Sequence, residues 1–279
     1  MKRDARLTIA VANQKGGVGK TNVAGNLAAE LAAAGRNVVL IDLDPQATAT
    51  TWALGRYSGR GTADVLLGDA TAEEVLVDVP AFRIRMLGSV PEAMRIAERT
   101  IAANVGSERA LSRAIRDLSA DTVIFDCPPS MGVLTAAAFV AATGILVPVA
   151  AAPEALDGLV QLLSNLCRLR VALDLELPVL AIVPTRFDIR LRIAREVVDA
   201  VRALEPEALT DFSIRESVAL RELFRPSRPD PHLSARFNRS RRLRTSRRGG
   251  SPPCPHRPRS LKPPPSAPCQ RHWTSSPAP

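Results

Sequence analysis

Seven residues, Lys15-Gly16-Gly17-Val18-Gly19-Lys20-Thr21, have the types and spacing of a loop that wraps phosphate. Glycines let the backbone approach an anion closely, successive N–H groups point inward, and the start of a following helix adds partial positive charge. In such a loop Lys20 reaches the β- and γ-phosphates of a nucleoside triphosphate and the Thr21 hydroxyl ligates Mg2+. Gln14 stands where the general G-x-x-x-x-G-K-[ST] pattern has its first glycine, and a second lysine, Lys15, follows it. A glycine-rich turn with two lysines can also be a solvated loop; a strand before it and a helix after it mark the phosphate-binding kind.

Three carboxylates could complete the site. Asp42 and Asp44, in Leu40-Ile41-Asp42-Leu43-Asp44-Pro45-Gln46, stand two apart at the end of an apolar run, so a strand would project both to one face. Ligands of open α/β sheets gather at the carboxyl ends of strands, although Asp-x-Asp before proline is, in isolation, as readily a turn. Asp126 closes a second apolar run, Val123-Ile124-Phe125-Asp126, ahead of Cys127-Pro128-Pro129-Ser130. A buried strand delivering a carboxylate in this way is the Walker B arrangement, which holds a magnesium-bound water near the phosphates. It is also a common strand ending. Cys127 reads as a packed thiol rather than a redox or metal ligand.

To bring loop and carboxylates together, the chain needs parallel strands. Strands are expected at Leu7 to Ala12, Asn37 to Leu43, Ile84 to Leu87, Thr122 to Phe125, Ile145 to Val149 and Val179 to Val183. Between the first two, Val23, Leu27 and Leu31 recur at helical spacing and Gly35 serves as a stop. Further helices are expected at Ala72 to Val77, Gly106 to Leu118, Leu134 to Ala142, Leu156 to Val171 and Ile193 to Leu204. The alternation predicts an α/β domain over residues 1–224: three layers, a mostly parallel sheet with helices on both faces.

Composition changes abruptly after Phe224. Residues 225–279 hold 13 Lys and Arg against one acid, and 13 of the 23 prolines, so the overall charge of +9 divides into −3 for the body and +12 for the tail. This Arg/Pro-rich segment is too poor in apolar residues to bury a core and is expected to be disordered. It reads either as a basic arm drawn to nucleic acid by counterion release or as the product of a shifted reading frame in GC-rich DNA. Its Cys254, His256, Cys269 and His272 lack zinc-finger spacing. The 27 uncharged residues from Cys127 to Pro153 are interrupted by prolines and Gly144, which argues against a membrane span. The short apolar run after Lys2, Arg3 and Arg6 argues against an export signal. Cys127 and Cys167 form no disulfide framework, as in a reducing compartment.

A lysine at the start of the phosphate loop is the mark of the deviant Walker A motif, and with it the chain resembles the ParA/MinD family of P-loop ATPases, ParA/Soj-type partitioning proteins above all. The resemblance runs over about residues 7–223, includes Asp126-Cys127-Pro128-Pro129-Ser130 and Glu154-Ala155-Leu156-Asp157-Gly158-Leu159, and implies the P-loop NTPase fold. It implies that Lys15 reaches across an ATP-sandwich homodimer to the partner's phosphates, that Asp44 positions or activates the attacking water, and that Asp42 belongs to the magnesium shell. It further implies nonspecific, ATP-dependent DNA binding, a stimulating ParB-like centromere-binding partner, and a cytoplasmic, nucleoid-associated protein.

Arg186, Arg190, Arg192 and Arg195 cluster after the last expected strand, with Arg215 and Arg221 beyond. In an acidic body such a local excess suits contacts to DNA phosphates, or else a solvated helix face. Phe187-Asp188-Ile189-Arg190 resembles the family segment whose arginine contacts DNA. The segment from Ile214 to Glu222 matches less well, since Ala219 falls where a second arginine is expected. The alternatives are a MinD-like membrane-associated ATPase, disfavoured by the tail's prolines, an iron-sulfur reductase, disfavoured by the lack of a recognisable cluster set among the body's cysteines, and a cargo-positioning ATPase of the same superfamily.

Overall fold

Short apolar strands paired in parallel build the centre of the molecule. The computed structural model describes residues 6–215 apart from 105, 153 and 189; the expected tail and Arg221 lie outside them. The strands are β1 (Leu7–Val11), β2 (Val38–Asp42), β3 (Val77–Val79), β4 (Ile84–Leu87), β5 (Thr122–Asp126), β6 (Gly144–Ala150) and β7 (Val179–Thr185). They form one sheet in the order β3-β4-β2-β5-β1-β6-β7, parallel except for the antiparallel pair β3·β4. Every residue of β2 and β5 is buried, as expected of strands covered on both faces.

Alternate residues of the strands feed two cores. Ile9, Val11, Val38, Leu40 and Ile124 meet helices α1 (Lys20–Ala33) and α2 (Thr48–Leu54) on one face. Ala10, Val39, Ile41, Val123 and Phe125 face the other core, which takes in α3 (Thr62–Leu67), α5 (Pro91–Ala102), α7 (Val133–Ala141), α8 (Glu154–Leu173) and α9 (Arg192–Leu204). A short α4 (Ala72–Val75) and α6 (Ala110–Ala114) complete the described helices.

The expected three-layer α/β fold is present, with local differences. Helix α1 lays Val23, Ala24, Gly25, Ala28 and Ala32 against the sheet, while Leu27 and Leu31 are only partly buried. At Gly25 a small residue is needed because α1 lies close to α2: a Cβ there would stand 2.6 Å from the Trp52 ring, which stacks on Phe82 with centroids 4.6 Å apart. The helix expected at Ala72 to Val77 ends at Val75, capped by Thr71 and Glu74, and the chain runs on as β3. The helix expected over Gly106 to Leu118 is a turn of 3-10 helix, Ser107–Arg109, followed by the five residues of α6. Helices α2, α3 and α5 were not anticipated; α5 starts on Pro91, whose fixed φ suits a first turn.

One arrangement positions the site. β1 lies between β5 and β6, so the chain leaves it in one direction toward β2 and later returns on its other side, a topological switch point at which open sheets bind ligands. Strand register sets Val11 beside Asp126 and Asp126 beside Asp42, so the ends of three strands share one level.

Candidate functional site

The phosphate loop joins β1 to α1. Gly17 and Gly19 have φ of 73° and 89°, a left-handed backbone that favours glycine. A Cβ on Gly16 would meet nothing within 4 Å, so this side of the loop is open. Helix α1 begins with no side-chain cap and no acid in its first turn, which leaves its leading N–H groups for an anion. Asn13 fastens the loop's start: its Nδ2 donates to the Pro148 carbonyl at 2.7 Å, and its Oδ1 accepts from the Lys15 N–H at 2.9 Å. At the other side the Thr185 hydroxyl, at the end of β7, donates to the Val18 carbonyl at 2.7 Å. Gly158 of α8 packs so tightly here that a Cβ would lie 3.1 Å from Asn13 Oδ1 and 3.2 Å from Lys15 Cβ.

The two lysines have opposite surroundings. Lys20 is buried, and its ammonium donates to the Lys15 carbonyl at 3.1 Å. Burial pulls its pKa below the ordinary 10.5, while the charges of Asp126 and Asp44 oppose that fall. Lys15 is exposed.

The three carboxylates converge, each held differently. Both oxygens of Asp126 are buried, and no donor among the described residues meets them in good hydrogen-bond geometry, although the Thr21 hydroxyl stands close enough to act on them. Burial and the neighbouring Asp42 charge push its pKa well above the ordinary 3.8, against the pull of the nearby Thr21 hydroxyl and Lys20. Asp42 is equally buried but satisfied: Oδ2 accepts from the Thr50 N–H at 2.8 Å and the Thr50 hydroxyl at 2.7 Å, and Oδ1 from the Asp44 N–H at 3.1 Å. Burial still lifts it to about 6. Asp44 is partly exposed; its Oδ1 accepts from the Gln46 N–H at 2.9 Å, and among the described residues its Oδ2 accepts nothing.

An unpartnered buried carboxylate beside Thr21 and an open ring of N–H donors fit a nucleoside triphosphate with Mg2+. Among the described residues no three His, Cys, Asp or Glu side chains could hold a metal by themselves. A small hard cation that keeps waters and takes phosphate oxygens suits such a place. Asp126 and Thr21 are the residues here that fit it best; Asp42 gives three of its acceptor positions to Thr50 and Asp44.

The candidate DNA contacts lie beyond β7. Arg190 is exposed, and its guanidinium grips Asp188 with Nε to Oδ1 at 2.9 Å and Nη2 to Oδ2 at 2.7 Å. These bonds hold the Asp188 carboxyl down at about 2. Arg215 is exposed and adds its charge to the same carboxylate, so Arg190 and Arg215 share one neighbourhood. Arg192 is exposed and paired with Glu196 at 2.6 Å. Arg186 instead turns back, its Nη1 lying 3.9 Å from where a Gly17 Cβ would be. Thr50, Ser89, Thr185 and Asn13 were not singled out from the sequence; Gly158 was, through its segment, and its contact with the loop supplies the reason.

Known proteins match this chain over most of its length. The family described as an AAA domain matches residues 6–179. The chromosome-partitioning ATPase Soj of Thermus thermophilus is 40% identical over 214 residues, covering 77% of this chain and 83% of that protein. The chromosome partitioning protein ParA of Myxococcus xanthus is 36% identical over 219 residues, 77% of each. Among solved structures, cobyrinic acid a,c-diamide synthase from Mycobacterium smegmatis with bound ADP and magnesium is 31% identical at a TM-score of 0.71, covering 84% of this chain and 96% of that one. With its two-lysine loop and three converging carboxylates, the chain belongs to the ParA/MinD family of deviant Walker A P-loop ATPases, on the side of the chromosome-partitioning Soj and ParA proteins.

Proposed function

We propose that this ATPase is a nucleotide-switched DNA-partitioning protein. ATP closes a homodimer in which each Lys15 reaches the other copy's phosphates, the dimer binds DNA nonspecifically in the nucleoid, and a ParB-like centromere-binding partner stimulates hydrolysis and release. The observation that carries the reading is the contrast between the lysines: Lys20 is buried and serves its own loop, whereas Lys15 stands exposed at its mouth. Gly16, Gly17, Val18 and Gly19 supply the backbone donors, Lys20 the charge in cis, and Lys15 the charge in trans to the developing transition state. Bound Mg2+ neutralises phosphate charge, with Thr21 and Asp126 holding it and Asp42 bracing the shell. Asp44, with Oδ2 uncommitted, orients the attacking water. β7 supplies a physical link, since Thr185 touches the phosphate loop while Arg190 and Arg215 lie just beyond the same strand's end. Arg221 completes the proposed DNA contacts.

The test is DNA retardation with and without ATP. Lys20→Ala should abolish nucleotide-dependent binding, Asp44→Ala should keep it without turnover, and Arg190→Ala should dimerise but bind DNA weakly. Sedimentation of wild type with a non-hydrolysable triphosphate should show a dimer that Lys15→Ala does not form. A chain that stays monomeric under those conditions, or DNA binding indifferent to ATP in all variants, contradicts the proposal.

A further inference from the structure

The Asp42 carboxylate and the Asp44 backbone belong to a closed hydrogen-bond ring that reaches two residues with no part in the scheme above. Asp44 N–H donates to Asp42 Oδ1 at 3.1 Å; Asp42 Oδ2 accepts the Thr50 hydroxyl at 2.7 Å; that hydroxyl accepts the Ser89 N–H at 2.7 Å; and the Ser89 hydroxyl returns to the Asp44 carbonyl at 2.9 Å. The Asp44 N–H is thus held by Asp42 two residues back, and its carbonyl, which also accepts the Ala47 N–H at 2.8 Å, is held from a distant segment by Ser89. The Thr50 N–H, in the first turn of α2, also donates to Asp42 Oδ2 at 2.8 Å. Asp42 therefore takes up a first-turn N–H of α2, whose N-cap residue Ala47 offers no side-chain cap and has a strained φ of 52°.

The ring members are unusually secluded. Thr50 and Ser89 are each 1% exposed and Asp42 is 0% exposed. Hydroxyls so buried cannot turn to water if a partner is lost, so the ring has one satisfied arrangement. It ties together three segments: the end of β2, the start of α2, and the turn between β4 and α5.

We infer that Thr50 and Ser89 are positioning residues for hydrolysis, which hold the Asp44 turn in the one placement that aims its free carboxylate oxygen at the attacking water. The inference rests on the proposed role of Asp44. Neither residue touches nucleotide; each acts through the ring. Because the closure is cyclic, opening it at either residue should release the same turn, so the two losses should not add.

The experiment uses the full chain and compares Thr50→Val, Thr50→Ser, Ser89→Ala and the Thr50→Val/Ser89→Ala double variant, with Asp44→Ala as reference. Affinity for a non-hydrolysable ATP analogue is measured beside kcat and KM for ATP. Thr50→Val should lower kcat about ten- to a hundredfold with analogue affinity within about twofold. Thr50→Ser, which restores the hydroxyl, should recover most of the rate, and the double variant should be no slower than Thr50→Val. Wild-type kcat in Thr50→Val overturns the inference, and so do equal losses in the Val and Ser variants or a parallel loss of analogue affinity. If Thr50→Val does not fold, Ser89→Ala against wild type decides alone, on the same split between kcat and affinity. Asp44→Ala separates the two levels: full turnover in that variant refutes the role of Asp44 itself, whereas its loss beside an unaffected Thr50→Val refutes only the ring.

Discussion

Replacing Asp126 by asparagine should stabilise the nucleotide-free protein while disabling its site. Asp126 is buried, unpartnered and beside Asp42, so its charged form is disfavoured in the native state. At pH 7 the loss cannot exceed the free energy of protonating the group instead, which from an ordinary value of 3.8 amounts to about 4 kcal/mol. The replacing amide also loses hydration, worth about 1–3 kcal/mol. The net gain is therefore at most about 1–3 kcal/mol, or up to roughly 3–10 °C in the melting midpoint of a domain this size. The sign has a pH signature. A carboxyl whose folded pKa is raised weakens the native state as pH climbs above the unfolded value, so the variant's advantage is smallest near pH 4 and widens toward pH 7. Melting curves followed by circular dichroism from pH 5 to 8 read both quantities. Adding Mg2+ with a non-hydrolysable triphosphate should reverse the order, because saturation at a thousand times Kd adds about 4.1 kcal/mol to wild type alone. A variant that melts below wild type without nucleotide, or a gap that does not change with pH, refutes the reasoning.

Two further outcomes follow from single contacts. Asp188→Ala removes the carboxylate that Arg190 grips; at low salt it should tighten ATP-dependent DNA binding by about two- to fivefold, an effect absent when Arg190 is also alanine, as titrations over a range of salt will show. Gly25→Ala drives a methyl group into the Trp52 ring and should destabilise the fold by about 1–3 kcal/mol, with a change in tryptophan fluorescence that urea melts can follow.

The site was legible in the sequence where its chemistry is local. The loop residues are contiguous, and Asp42 and Asp126 close apolar runs that read as strands. Parallel pairing then sets these two side by side at one level, whereas Asp44 falls past the end of β2, in the turn, and not on the strand face that its spacing from Asp42 suggested. Thr50, Ser89 and Thr185 were hidden because nothing in their own neighbourhood marks them. The Ser89 N–H finds a hydroxyl 39 positions away, and the Thr185 hydroxyl a carbonyl 167 positions away, so only the folded chain shows the pairing. Elements of three to seven residues, β3, α2 and α3, escaped for a related reason: they are too short to repeat a period. In α1 the leucine spacing drew the eye, whereas close packing against the sheet and Trp52 selects the alanine and glycine stripe.

The two rims of the sheet are finished in different ways. At one rim β3 spans three residues and runs antiparallel, too brief to template another chain. At the other, β7 is seven residues long, and the stretch from 208 to 214 lies along it: the Ile182 N–H donates to the Ala208 carbonyl, the Thr210 N–H to the Ile182 carbonyl and the Ile214 N–H to the Pro184 carbonyl. That cover acts as a selvedge. Were it to peel away, a bared run of amides and carbonyls next to the exposed Leu180 would invite fibrous self-association.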